Sequence, residues 1–434
     1  VIPSSFDGLG LAEPLQLALK AENYLKPTPI QAQAIPLLNE GKDLLGIAQT
    51  GTGKTAAFAL PILQRLLHED LPRVPGAPHA LILAPTRELA GQIGERFRAY
   101  GRRLPLRTTV VFGGVNQYHQ VKALKAGVDI LIATPGRLLD LCSQRHVRLD
   151  KVSILVLDEG DRMLDMGFIH DVRKIVATCK GKRQTLLFSA TMPPPIAKLA
   201  HDILKHPVRI DISPAAVTVD RIEQRVMFVG AKDKRTLLTE LLRDSAMDRV
   251  LLFTRTKRGA DRVCRQLGQA GIAADALHGN KAQNARVRAL DAFRNGSVRV
   301  LVATDIAARG IDVPGISHVI NYELPNEPES YVHRIGRTAR AGARGAALSF
   351  CDQSERPYLR AIESLMRRKV IVAEHRLAER AAERAPLSKK QRSSKPAAIP
   401  RRRTQSHGGF PGLPGGVPKF ASRERAFRHS GETT

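Results

Sequence analysis

Short apolar runs of four or five residues recur along the first half of the chain, at 43–47, 80–83, 108–112, 129–132, 153–157 and 185–188. Each stops at small or polar residues and leads into a stretch with helical spacing. Residues 88–100 are typical, with Leu89, Ile93 and Phe97 one turn apart. Strands with no polar face must be covered on both sides, so this alternation predicts a parallel sheet between two layers of helices. The pattern is interrupted around 212–220, where Pro214, Ala215 and Ala216 stand. It resumes with runs at 224–229, 249–254, 273–277, 299–303, 318–322 and 346–350. The fold class is therefore α/β, with two domains of one architecture at 1–211 and 221–370, joined by a linker at 212–220.

Parallel sheets gather ligands at the carboxyl ends of their strands. The segments expected there are AQTGTGKT, PTREL, GG, TPGR, DEGD and SAT in the first half. In the second they are HGN, TDIAARGID and HRIGRTAR. All are polar, glycine-rich or charged.

Composition narrows the partner. The chain has 434 residues and carries 68 Lys and Arg against 41 Asp and Glu, a net charge of +27. A surplus of that size favours a polyanion, because neutralised phosphates release condensed counterions. A basic surface that merely keeps the protein soluble is the plainer alternative. Residues 371–434 are expected to form a helical extension and a basic, disordered tail. From 386 onward there are eleven Lys or Arg against two Glu, amid Pro, Gly and Ser. Cys142, Cys179, Cys264 and Cys351 show no CxxC spacing, which predicts neither a disulfide framework nor a zinc site and suits a reducing, cytoplasmic setting. No apolar run approaches the roughly 18 residues of a membrane span, and residues 1–10 do not read as a secretory signal.

Residues 48–55 carry the clearest chemistry. Gly51 and Gly53 let backbone N–H groups curl round phosphate oxygens at a helix start. Lys54 would reach the β- and γ-phosphates and the Thr55 hydroxyl would ligate Mg²⁺. Ala48 occupies the place of the first glycine in the usual pattern, with Gln49, Thr50 and Thr52 completing the loop. Asp158 and Glu159 close an apolar run, where an acid pair would hold Mg²⁺ (Asp158) and polarise an attacking water (Glu159). The second half has no phosphate loop of its own. One nucleotide between two similar domains is the economical reading, with Arg337 and Arg340 as candidate fingers on the transferred phosphoryl group.

Taken in order and spacing, TPIQ (28–31), AQTGTGKT, PTREL, GG, TPGR, DEGD, SAT, TDIAARGID and HRIGRTAR resemble the DEAD-box family of ATP-dependent RNA helicases over residues 4–370. DRMLDMGF and YELPNEPESYVHRIGRTARAG look most like its bacterial RhlE-type branch. The resemblance implies two RecA-like domains, ATP and Mg²⁺ as cofactors, and RNA as partner. It implies that Gln31 reads the adenine edge, that Phe6 stacks on the base and that Asp312 meets the ribose. An apolar anchor near a helix start is the other reading of Phe6. Arg337 and Arg340 fall to the γ-phosphate, and His333, Ser189 and Thr191 to coupling. The implied RNA contacts are Pro85, Thr86, Arg87, Gly113, Gly114, Thr134, Gly136 and Arg137, joined by Gly279 and Thr304 from the other domain. Small residues and exposed amides suit a ribose-phosphate track that does not read bases, and 4% aromatic content with no Trp argues against an extended stacking platform. Two positions depart from the family: Gly160 stands where it has Ala, and Ala339 where many members have Gly.

The activity implied is RNA-stimulated ATP hydrolysis coupled to closure of two domains and local opening of short duplexes, in ribosome assembly or RNA turnover. Ribosomal or RNA-degradation proteins would dock on the tail. An ATP-dependent RNA clamp or annealing factor without turnover, and a DNA translocase, are the competing readings.

Overall fold

A computed structural model of the chain describes residues 5–48, 51–212, 222–244, 247–308, 313, 315–339 and 345–375. Gln49, Thr50, Asp312, Arg340, nearly all of the expected linker and the tail beyond 375 lie outside the described residues. The chain divides into units Val1–Ala385 and Pro386–Thr434; the second lies wholly outside them.

The apolar runs form two sheets of seven strands. The first contains β1 (Leu44–Ala48), β2 (Ala80–Leu83), β3 (Thr108–Val111), β4 (Ile130–Ala133), β5 (Ile154–Leu157), β6 (Gln184–Ser189) and β7 (Val208–Ile212), ordered β3-β4-β2-β5-β6-β1-β7. The second contains β8 (Ile222–Phe228), β9 (Val250–Phe253), β10 (Ala274–Leu277), β11 (Val300–Ala303), β12 (His318–Asn321), β13 (Gly345–Cys351) and β14 (Ile371–Val372), ordered β10-β11-β9-β12-β13-β8-β14. Counting from the first strand of each, the two orders are identical. Every pairing is parallel. These are two RecA-like domains, each a parallel sheet packed on both faces.

Alternation of side chains explains the two-sided burial. Leu44, Ile82, Ile132 and Val156 enter the core on one face of the first sheet. Their neighbours Leu45, Leu81, Leu131 and Leu157 enter a separate core on the other. Strands β7 and β14 were not among the expected runs. In β7 only Ile210 is buried while Arg209 is exposed, the mixed pattern of an edge strand covered on one side; β14 has two residues and leaves both exposed. The helix after β2 and that after β9 start alike. Thr86 Oγ1 accepts the N–H of Leu89 at 3.2 Å and Thr256 Oγ1 that of Gly259 at 3.0 Å, a side-chain cap supplying one of the unsatisfied donors of the first turn.

Ala339 adopts φ +56°, a left-handed conformation in which a Cβ crowds the following carbonyl. Glycine carries no such penalty. Ala339→Gly is expected to stabilise the second domain by about 1 kcal/mol, read as a higher urea midpoint; an unchanged or lower midpoint would show that another contact supports the alanine.

Candidate active site and inter-lobe cleft

The first cluster lies at the carboxyl ends of β1, β5 and β6. Beyond β1, Gly53 turns the loop at φ +92°, and a Cβ there would lie 2.5 Å from Gln31 Nε2, so glycine is required both for the turn and for the approach of Gln31. Lys54 opens the helix Lys54–Glu69 and is buried, its Nζ donating to Ala48 O at 2.7 Å. Gln31 is fully buried: its Oε1 accepts from Thr28 N–H at 2.9 Å, closing a capping box, and its Nε2 donates to Gly53 O at 3.1 Å. Gln31 thus clamps the glycine loop ahead of Lys54 through its backbone. Phe6 is also in the core, edge-on to Tyr24 with ring centroids 6.5 Å apart.

At the end of β5, Asp158 and Glu159 are both buried. Burial raises the Asp158 carboxyl to about 6, with the Glu159 charge adding to the rise and Lys54 and Arg162 opposing it. Its Oδ1 has no hydrogen-bond partner. Glu159 takes φ +57°, ψ +55°, and its carboxylate is held by Arg162 Nη1 at 2.6 Å, both side chains 4% exposed. The strand order places β6 between β5 and β1, bringing the SAT residues beside this pair. Asp161 Oδ2 accepts from Thr191 N–H at 2.9 Å and Thr191 Oγ1 at 3.0 Å, and its own N–H donates to Ser189 Oγ at 3.0 Å. Ser189 and Thr191 therefore grip the last acid of the DEGD box.

The second cluster belongs to the other lobe. Arg334 is buried in a bidentate pair with Asp305 (2.6 and 2.7 Å), hydrogen-bonded to Asn321 and Glu323 O and set over the Phe253 ring at 5.0 Å. Fixed in this way, it anchors the segment carrying Arg337, which is buried and donates to His333 O at 3.2 Å. Both His333 and Arg337 line a small pocket of about 10 Å³ with Phe253, Asp305 and Ser330.

Between the lobes runs a cleft of about 400 Å³. Pro85, Thr86, Arg87, Gly113, Thr134, Gly136 and Arg137 line it from the first domain, and Gly279 from the second. Gly114 (φ +76°) packs so closely that a Cβ would overlap the Arg87 guanidinium. Thr304 is buried at the end of β11 and is not among the cleft residues. The lobes are tied at this cleft by Glu88, whose Oε1 accepts from Gln283 Nε2 at 3.1 Å and whose Oε2 lies 2.9 Å from Arg286 Nη2.

Residues 28–199 match the DEAD/DEAH box helicase family and residues 233–342 the helicase conserved C-terminal domain. The DEAD-box ATP-dependent RNA helicase CshA of Bacillus subtilis is 42% identical over 366 residues, covering 84% of this chain and 73% of that protein. The chain belongs to the DEAD-box RNA helicases. CshA of Limosilactobacillus reuteri is likewise 42% identical, over 87% of this chain and 75% of its own length. Among solved structures, Dbp5 of S. cerevisiae bound to RNA and ADP BeF3 aligns with a TM-score of 0.75 at 33% identity, covering 86% of this chain and 96% of that one.

In this DEAD-box helicase several residues that brace the site have no part in the motif reading, although Glu88, Asp161, Asp305 and Arg334 stand inside the motifs themselves. Asp161, Arg162, Arg334, Asp305, Glu88, Gln283 and Arg286 are all charged or amide residues whose partners lie far away in sequence or on the next turn. A buried charge needs its partner, but sequence alone does not say which charges are buried. Gly160 begins the helix Gly160–Asp165, and a methyl there would come 2.9 Å from Leu187 Cδ1. That atom is the end of a flexible side chain, so the missing methyl leaves a little slack beside Ser189 without displacing either carboxylate.

The raised Asp158 carboxyl has a pH consequence. Between the usual carboxylate range and about 6, the folded chain binds this proton more readily than the unfolded chain, so the group's contribution to stability falls as pH rises through that window. Asp158→Asn, which cannot ionise, should gain stability relative to wild type on going from pH 5 to pH 8. Urea midpoints at both pH values would check this; an equal offset would mean that Asp158 is not strained by ionisation.

Proposed function

We propose that this chain hydrolyses ATP in an RNA-stimulated cycle and uses closure of its two lobes to open short RNA duplexes locally. The observation that carries the reading is the inter-lobe cleft itself: motif residues from both domains line one channel, and Glu88 of PTREL is paired across it with Gln283 and Arg286. A ligand that touches both lobes stabilises their closed arrangement, and two such ligands strengthen each other's binding through it.

Roles follow from placement. Lys54 and the backbone of the Ala48–Thr55 loop take the phosphates, with Gln31 and Phe6 on the base side and Asp312 at the ribose. Glu159 polarises the attacking water once its carboxylate is shared between Arg162 and that water. Arg337, with Arg340, stabilises charge on the phosphoryl group transferred to water, and His333 couples this segment to the DEGD box together with Ser189 and Thr191. The Thr55 hydroxyl and the unpartnered, buried Asp158 Oδ1 are hard oxygen donors of the kind Mg²⁺ takes, so the site fits that ion; when bound it neutralises the β- and γ-phosphates. Pro85–Arg87, Gly113–Gly114, Thr134, Gly136, Arg137 and Gly279 form the ribose-phosphate track, while Thr304, buried outside the cleft lining, stays off it.

The DRMLDMGF and YELPNEPESYVHRIGRTARAG runs support placement in the RhlE-type branch, while the curated relatives compared above carry the name CshA. Four free cysteines support a reducing, cytoplasmic setting. The basic tail supports docking to ribosomal or RNA-degradation proteins, with ribosome assembly or RNA turnover as the process.

Steady-state ATP hydrolysis with and without single-stranded RNA tests the reading. Turnover should rise with RNA, vanish in Glu159→Gln while ATP and RNA still bind, and fail with lost ATP binding in Lys54→Ala. No turnover under either condition would favour an RNA clamp, and equal stimulation by DNA a DNA translocase.

The inter-lobe pair makes a separate prediction. Glu88→Ala and Arg286→Ala should each lower RNA-stimulated turnover by about tenfold or more, since each leaves a buried partner unpaired. The double variant should fall short of the product of the two losses. Fully multiplicative losses would mean that the residues act independently.

A further inference from the structure

The lined cleft ends at the Gly113–Gly114 turn, but its chemistry continues. Four residues later the chain enters the helix Tyr118–Lys125. Leu124 is buried and Val121 packs into the core beneath. Tyr118, Lys122 and Lys125, at i, i+4 and i+7, share the exposed side. Tyr118 leaves 63% of its surface in solvent, whereas every other described Phe and Tyr is buried or half-buried. The His119 ring meets it edge-on at 5.4 Å.

This helix is fixed to the cleft. Arg137, a cleft residue, donates to Gln120 Oε1 at 3.3 Å and to Val115 O at 3.2 Å, and Gln120 Nε2 donates to Phe112 O at 3.1 Å. At the far end Arg107 Nη1 donates to Ala126 O at 3.1 Å, adding a cation where the helix stops. The helix itself bears no carboxylate. Neither lysine has an ion-pair partner among the described residues. The nearby Asp140 is engaged by Arg137 at 3.5 Å and by Gln144 Nε2 at 2.8 Å.

A solvent-facing ring followed by a line of unpaired cations, continuous with a phosphate track, matches a ligand that has both flat π-faces and regularly spaced negative charge. An acidic peptide offers the charge without the faces; a single-stranded nucleic acid offers both. We propose that this stripe extends the RNA track for about 12 Å beyond the cleft: Tyr118 stacks one unpaired base as the strand leaves Gly113–Gly114, and Lys122, Lys125 and Arg107 take the phosphates that follow. The proposal rests on the RNA reading of the cleft. One ring is not an extended platform, so recognition stays independent of sequence.

The test uses the full chain and two oligouridines, one of about six nucleotides that fills only the cleft and one of about fifteen. Wild type should bind the longer strand more tightly. Tyr118→Ala should remove that gain, a loss of about 5- to 100-fold, and Tyr118→Phe should keep it. Lys122→Ala with Lys125→Ala should flatten the salt dependence for the longer strand by about 1.4 in log–log slope. Affinity for the short strand and RNA-free ATP hydrolysis should not change in any of these variants. Tyr118 and both lysines are exposed, so the variants should fold. Equal wild-type affinity for the two lengths, or a length gain that survives in Tyr118→Ala and the double lysine variant, overturns the stripe alone. Wild type that binds neither strand overturns the cleft reading and the stripe with it.

Discussion

A sheet whose strands are all parallel must send the chain back across one of its faces after every strand. Each strand therefore ends at the same edge, and whatever follows it emerges there. The rest of this molecule depends on that constraint. It collects the loops after β1, β5 and β6 into one cluster and those after β2, β3 and β4 into a second beside it. The first is suited to phosphate and water, the second to a strand lying across exposed backbone. Because the second sheet repeats the strand order of the first, its loops also emerge at one edge, and Gly279, just beyond β10, lines the cleft.

Within that frame, buried charge gives the site its stiffness. Asp158, Glu159, Asp161 and Arg162 are all buried within a stretch of five residues, and each of the last three has a named partner. Glu159 is held in a left-handed conformation that a non-glycine residue adopts only at a cost; the short Arg162 pair offsets it. Asp161 spends its carboxylate on Thr191, so a displacement of the SAT segment is felt directly at the DEGD box. Asp158 alone keeps an unsatisfied oxygen. An orphaned buried acceptor is expensive, and the Lys54 charge offsets part of that cost.

The lobes are joined in a similar way. Glu88 sits one residue beyond Arg87, which lines the cleft, and reaches Gln283 and Arg286 in the other domain. Burial lowers the Arg286 pKa, with Glu88 opposing that shift and Arg87 adding to it. An inter-lobe contact made by charges so near the cleft depends on what occupies it. An added polyanion would draw on Arg87 and Arg286 and so weaken the hold of Glu88 on Arg286.

Much of this was legible in the linear chain. The apolar runs gave twelve of the fourteen strands, because a strand buried on both faces has no polar positions to blur it. The two that were missed, β7 and β14, are edge strands whose mixed or very short patterns carry little signal. The motif glycines at 51, 53 and 114 were legible for a related reason, since close approach and positive φ admit few other residues. Distance along the chain hid the rest. Glu88 and Arg286 are nearly two hundred residues apart, Asp305 and Arg334 lie on different elements, and nothing local distinguishes those charges from solvated ones. Sequence determined the fold class and the glycine turn ahead of Lys54, both set by local backbone needs, and the place of the acid pair at a strand end. Only the tertiary structure decided which charges lose their water, and so which carboxylate meets which guanidinium across a cleft.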